Sequence, residues 1–145
     1  MYSRERLFSV ENKPSLLEQC AGALKSSGNV LITDFVRADT VSARDADEAW
    51  ACHDGEAAHL WSLRDYRVAL TDQGLNMLLC SDITEDYLEM VSRAWARVPL
   101  LIHDQSLSRR KVSLLMEEGE IWLSRIRALE SGQIGVGRIH AQKPA

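Results

Sequence analysis

One run, Val30-Leu31-Ile32-Thr33-Asp34-Phe35-Val36, constrains this chain more than any other stretch. It is β-branched, aromatic and almost continuously apolar. A strand wet on one face alternates apolar and polar residues, whereas a continuous run asks for cover on both faces, as in α/β proteins. A helical pattern precedes it. Leu16, Leu17, Cys20 and Leu24 recur at helical spacing, and Pro14 suits the first helical position, where its missing N–H costs nothing. Gly28 is placed to stop that helix, because glycine takes the left-handed conformation without a Cβ clash. Helix, glycine and buried strand make an αβ unit.

The pattern continues downstream. Residues 37–58 are polar and acidic and read as a loop and a helix carrying Trp50. Residues 63–73 read as a helix with Leu63, Tyr66 and Leu70 on one face, ended by Gly74. The run from Asn76 to Ser81 is a second strand. Thr84 is placed to N-cap the next helix, with Glu85 and Asp86 near its positive end. Tyr87, Leu88, Val91 and Trp95 form its stripe, and Pro99 lies just beyond. A long helical pattern spans 106–129, with Gly119 weakening its middle. Ile134, Val136 and Ile139 mark a terminal strand. Trp95 and Trp122 read as core. There is no repeat, linker or composition break, so a single domain over 1–145 is expected.

Composition removes several classes of function. The formal net charge of -4 gives no basic nucleic-acid footprint, and the one dense basic run, Arg109-Arg110-Lys111, reads as a solvated helix face. Cys20, Cys52 and Cys80 are odd in number and lack a CxxC pair, which argues against a disulfide framework. No run approaches the ~18 apolar residues of a membrane span. Met1 to Arg6 lacks the apolar core of a signal peptide, so a cytoplasmic location is expected. His53 and His59 are not at helical metal-pair spacing, and His103 and His140 stand alone, so no metal is expected. No G-x-S-x-G elbow is present. The glycines at 132, 135 and 137 could suggest a nucleotide loop, but such a loop needs a helix opening directly after it. Too little chain follows for one, and a turn plus a strand is the reading.

The ordered set of motifs resembles a known family. Tyr2-Ser3-Arg4-Glu5, Asn12-Lys13-Pro14 with Leu16-Leu17, Leu24-Lys25-Ser26-Ser27-Gly28 and Leu31-Ile32-Thr33-Asp34-Phe35 resemble one stretch of the phosphoethanolamine and related small-amine N-methyltransferases. That stretch reads YSRD, DKxxL, LKPGG and LITDY. Tyr66 to Leu70, Gly74, Asp82-Ile83-Thr84, Trp122 and the closing 135–144 segment are similar to the family's later elements. The resemblance implies the C-terminal half of a class I S-adenosylmethionine-dependent methyltransferase, a partial Rossmann-like α/β fold. It implies three main strands at about 29–36, 76–82 and 133–142, in the order 5-7-6, with the last strand antiparallel between the other two. It also implies S-adenosylmethionine as cofactor. The family's glycine-rich cofactor loop and ribose-binding acid find no counterpart in these residues, so weak or no cofactor binding is expected of this chain alone.

The same resemblance implies site residues. Ser3 and Arg4 would line the cofactor cleft, with Glu5 and Ser9 on the substrate side, or Ser3, Arg4 and Glu5 would belong to a solvated N-terminal tail. Asp34 could face a substrate amine or cap the following segment. Trp61 and Tyr66, with Trp50, could form an aromatic lid over a cationic acceptor, or simply be core. Ser9 stands where the phosphobase enzymes have a histidine, and Phe35 where they have a tyrosine. A general base and a phenol are thus missing, and the phosphate-gripping arginine and tyrosine find no equivalent around Glu56 to His59. A phosphorylated acceptor is not expected. One edge of the 30–36 strand is expected to be bare, because the preceding strand is reduced to a few residues. Such an edge is a template for a second copy or a complementing chain. Three readings remain open at this level: a methyltransferase completed by a cofactor-binding half, a methyltransferase-like module kept for binding, and an unrelated small α/β or helical interaction protein.

Overall fold

The computed structural model describes residues 1–54, 57–103 and 107–145, without the side chains of 52–54 and 101. Its sheet contains β1 (Tyr2–Arg4), β2 (Asn29–Arg37), β3 (Asn76–Asp82) and β4 (Ile134–Gln142), in the spatial order β1-β2-β4-β3. β1 runs parallel to β2, and β4 is antiparallel to both β2 and β3. The last strand is therefore inserted between two earlier ones, as the resemblance implied. β2 pairs with β4 along its whole length, from Asn29 opposite Gln142 to Arg37 opposite Ile134.

Helices lie on both faces, but cover of β2 is continuous only over Asp34 to Val36, and Leu31 is 37% exposed. On one face α1 (Lys13–Ala23) and α3 (Leu63–Asp72) bury Leu17, Ala21, Tyr66 and Leu70 against Val30, Ile32, Val36, Ile139 and Ala141. On the other, α2 (Ala43–Asp54), α4 (Thr84–Trp95) and α6 (Arg109–Glu130) bury Trp50, Tyr87, Val91 and Leu129 against Phe35, Ile134 and Val136. α5 (Val98–His103) links α4 to α6. Trp50 is core. Trp95 and Trp122 are only half-buried and sit at the edge of the second cluster, 6.4 Å apart.

Several local expectations are corrected. α1 ends at Ala23, before Gly28. The left-handed residue in the turn is Ser27 (φ 58°), and Gly28 is required because a Cβ there would lie 2.7 Å from the Lys25 carbonyl oxygen. Thr84 is the first helical residue of α4 rather than its cap. Asp82 Oδ1 accepts from the Thr84 amide at 2.7 Å and from its hydroxyl at 2.5 Å. Gly119 does not interrupt α6. It lies where a Cβ would touch the Trp95 ring at 3.4 Å. The glycine cluster is explained by packing. Gly132 takes φ +74° after α6, while a Cβ on Gly135 or Gly137 would fall 2.6 Å from Thr84 Oγ1 or from Leu63 Cδ2.

The expected bare edge of β2 is also corrected. Tyr2, Ser3 and Arg4 pair with Leu31, Ile32 and Thr33. Leu31 N–H donates to the Met1 carbonyl at 3.0 Å, and Glu5 N–H to that of Thr33 at 2.7 Å. Farther along, Arg37 N–H donates to the Trp61 carbonyl at 3.1 Å. A segment this short would bury little by itself, but it continues into a 3-10 turn (Leu7–Ser9) whose Leu7 and Phe8 are buried in the two opposite clusters. Those two anchors, worth of order 2 kcal/mol each, hold β1 in place.

Candidate functional site

The expected site residues fall into two groups on opposite faces of the sheet. At the carboxyl end of β1, Arg4 Nε donates to Glu5 Oε1 at 3.1 Å, and Glu5 adopts φ 50°. A left-handed non-glycine residue is uncommon and costs energy. Here it turns the chain out of β1 at the end where ligands of open α/β sheets bind. Ser3 is half-buried in the ladder, and Ser9 is committed to the Arg6 carbonyl at 3.1 Å.

Phe35 points into an aromatic cluster. Its ring centroid lies 4.7 Å from Trp50, 5.6 Å from Phe8 and 6.1 Å from Tyr87. The Arg125 guanidinium lies over this cluster, 5.2 Å from Trp122, 5.8 Å from Trp50 and 6.0 Å from Phe35. Burial pushes the Tyr87 hydroxyl well above its ordinary pKa, and the nearby Glu5 carboxylate raises it further. Neither the Tyr87 hydroxyl nor Trp50 Nε1 has a hydrogen-bond partner among the described residues.

The second group lies under α1 and α3. Asp34 is fully buried, and its Oδ2 accepts from the Tyr66 hydroxyl at 2.9 Å. Oδ1 has no partner among the described residues. Burial raises the Asp34 carboxyl to about 7, against the smaller opposing effects of Tyr66, the nearby backbone amides of Phe35 and Phe8, and the Lys13 charge. Tyr66 is raised strongly, first by burial and then by Asp34. Lys13 was read from sequence only as part of a helix start. It is completely buried, donates to the Val10 carbonyl at 2.7 Å and to the His59 carbonyl, and lies 5.7 Å from the centre of the Trp61 ring. Burial lowers its ammonium to about 8, although Asp34 and Asp47 pull it upward. Trp61 is half-buried and packs edge-on against Tyr66 at 5.3 Å.

Asp34, Phe35 and Tyr66 are thus sealed in this conformation, with Phe35 on the opposite face of the sheet from Asp34 and Tyr66. None of these three lines an open concavity, although Trp61 borders one of about 540 Å³ with Pro14, Leu60 and Arg64. A pocket of about 260 Å³ sits at the carboxyl ends of β2 and β3, walled by Val36, Leu63 and Ile134, with Arg37, Asp39 and Asp82 as its charged groups. Arg37 is committed to Asp65 at 2.5 Å and to the Val41 carbonyl at 2.8 Å. No group of three or more metal-ligating side chains occurs among the described residues. The Cys52 and His53 side chains, and Glu56, lie outside the described residues.

No family model matches the chain. In sequence it is similar to phosphoethanolamine N-methyltransferase 3 of Arabidopsis thaliana, 26% identical over 98 residues, which is 64% of this chain and 18% of that protein. In structure it is similar to phosphoethanolamine N-methyltransferase 2 of Haemonchus contortus, solved with phosphomonomethylethanolamine and S-adenosylhomocysteine. The TM-score is 0.77 at 18% identity, over 99% of this chain and 33% of that one. The chain has the fold of S-adenosylmethionine-dependent methyltransferases. It spans less than a fifth of that curated relative and a third of that solved structure. The same methyltransferase fold is shared by the [4+2]-cyclase SpnF, with a TM-score of 0.64 at 13% identity over 50% of that chain. The fold therefore does not by itself fix the reaction.

Proposed function

We propose that this chain forms the acceptor-side portion of an S-adenosylmethionine-dependent methyltransferase. It acts on a small acceptor such as an amine once joined to residues that supply the cofactor-binding strands. The observation that carries this reading is the strand order, with β4 inserted antiparallel between β2 and β3. The sequence similarity to phosphoethanolamine N-methyltransferases adds to it.

In this reading Ser3 and Arg4 border the cofactor, and Glu5 sits where the turned-out chain meets the acceptor. The carboxylates of Asp39 and Asp82 in the pocket wall suit a cationic acceptor better than a phosphorylated one. A complementing chain or a second copy would pair along the outer edge of β1, where Tyr2 is 68% exposed.

The alternative is a methyltransferase-like module kept for binding. It is favoured by the sealed state of Asp34, Phe35 and Tyr66. The coding sequence directly upstream of Met1 and of neighbouring genes separates the two. A glycine-rich strand–turn–helix unit encoded there supports the catalytic reading, and its absence supports the binding module.

A further inference from the structure

Residues 57–62 have no regular secondary structure, yet polar tethers bind them to four different parts of the fold. His59 N–H donates to the Phe8 carbonyl at 2.8 Å, and Leu60 N–H to Asp47 Oδ1 of α2 at 2.8 Å. The Trp61 carbonyl accepts from Arg37 N–H at the end of β2. The fourth tether is the Lys13 ammonium on the His59 carbonyl. Trp61 also packs on Tyr66, which holds Asp34. Strap, Lys13, Asp34 and Tyr66 form one connected unit.

The weak members of that unit are its two buried ionisable groups. Lys13 and Asp34 are both fully buried. The Lys13 ammonium is held by carbonyls and the Asp34 carboxyl by the Tyr66 hydroxyl rather than by each other, and taking a charge out of water without an ion-pair partner is costly. The unpartnered Oδ1 of Asp34 adds to the cost. We propose that the 57–62 strap is a cover that opens over Asp34 and Tyr66, and that the burial of Lys13 and Asp34 beneath it makes opening easiest near neutral pH, where both groups are charged once hydrated. Opening is also what Asp34 and Tyr66 need before either can touch a ligand, and the inference does not depend on which reaction the protein performs.

The sign follows from the two shifts. Opening rehydrates Asp34 and returns it from about 7 toward 3.8, so the open state loses a proton in that window and gains as pH rises through it. Opening returns Lys13 from about 8 toward 10.5, so the open state gains a proton there and is disfavoured as pH rises above 8. Opening therefore peaks between the two folded values. Among the described residues, the titratable groups facing them are Asp47 of α2 beside Lys13 and Tyr66 of α3 on Asp34. His59 is a titratable residue of the strap itself and is removed in a control variant.

Amide hydrogen exchange tests this on the 145-residue protein. Protection factors of the His59, Leu60 and Trp61 amides, corrected for intrinsic exchange, should fall by up to about tenfold per pH unit from about pH 5 to about pH 7. Those of Val136 and Ile139 on β4 should not fall with them. The His59→Gln variant, read at position 60 and Trp61, should keep the dependence. The double variant Lys13→Met/Asp34→Asn should flatten it and raise strap protection at neutral pH. Should the double variant fail to fold, wild type and His59→Gln decide alone. The proposal is overturned by pH-independent strap protection, by strap and β4 amides moving together, by loss of the dependence in His59→Gln, or by a folded double variant whose strap is no better protected.

Discussion

Replacing Gly135 with alanine tests how β4 is locked to the turn before α4. The new Cβ would lie 2.6 Å from Thr84 Oγ1. That hydroxyl cannot swing aside freely. It accepts from the Val136 amide at 2.9 Å and donates to Asp82 Oδ1. Overpacking of this kind costs about 1–3 kcal/mol. Thr84→Ala alone removes both hydrogen bonds and leaves polar groups short of a partner, for a further ~1–3 kcal/mol. The two losses should not add. Removing the hydroxyl removes the atom that the new methyl strikes, so the double variant should recover at least about 1 kcal/mol of the summed loss. Urea denaturation of the four proteins gives the coupling energy directly. Losses that add to within ~0.5 kcal/mol would refute the contact as the reason for glycine at this position.

Three further outcomes follow from the packing and the buried charges. Asp34 has a folded pKa of about 7 against an ordinary 3.8, so its contribution to stability is full below the ordinary value and is lost as pH rises to about 7. At ~1.4 kcal/mol per unit the loss is roughly 4 kcal/mol, and denaturation midpoints of Asp34→Asn across this range should lack that decline. A variant with wild-type slope would contradict the assignment. Trp50→Ala empties a fully buried site between Phe8 and Phe35 and should cost about 3–5 kcal/mol by denaturation, where a loss below ~1 kcal/mol would count against that cluster as core. Deleting residues 1–4 strips β1 from β2 and should convert the protein to oligomers or aggregates in size-exclusion chromatography with light scattering. A stable monomer of the deletion variant would refute the role given to β1.

The sheet was largely legible in the sequence, because its strands carry short continuous apolar runs between turn residues. The spans 29–36, 76–82 and 133–142 differ from β2, β3 and β4 by a residue at most. Their order came from family resemblance rather than pattern, since periodicity says nothing about which strand lies between which. β1 was expected only as a remnant of a few residues, and its hold on β2 was not read, because three residues carry no period and its anchors, Leu7 and Phe8, lie on opposite faces. Lys13 was missed for a different reason. A lysine at a helix start reads as solvated, and only the carbonyls of Val10 and His59, which accept from its ammonium, make burial tolerable. The site was the least legible part. Asp34 and Phe35 are adjacent in sequence, but alternation along a strand sends adjacent side chains to opposite faces, so they never shared a wall.

The central claim, that these residues supply the acceptor side of a methyltransferase and not its cofactor grip, is most directly tested by titration calorimetry of the 145-residue chain with S-adenosylmethionine. Among the described residues the glycines at 132, 135 and 137 serve a turn and strand packing, and no helix opens after them to receive a nucleotide. The account predicts no complex tighter than about millimolar, roughly -4 kcal/mol. A micromolar or tighter complex with this chain alone would contradict it.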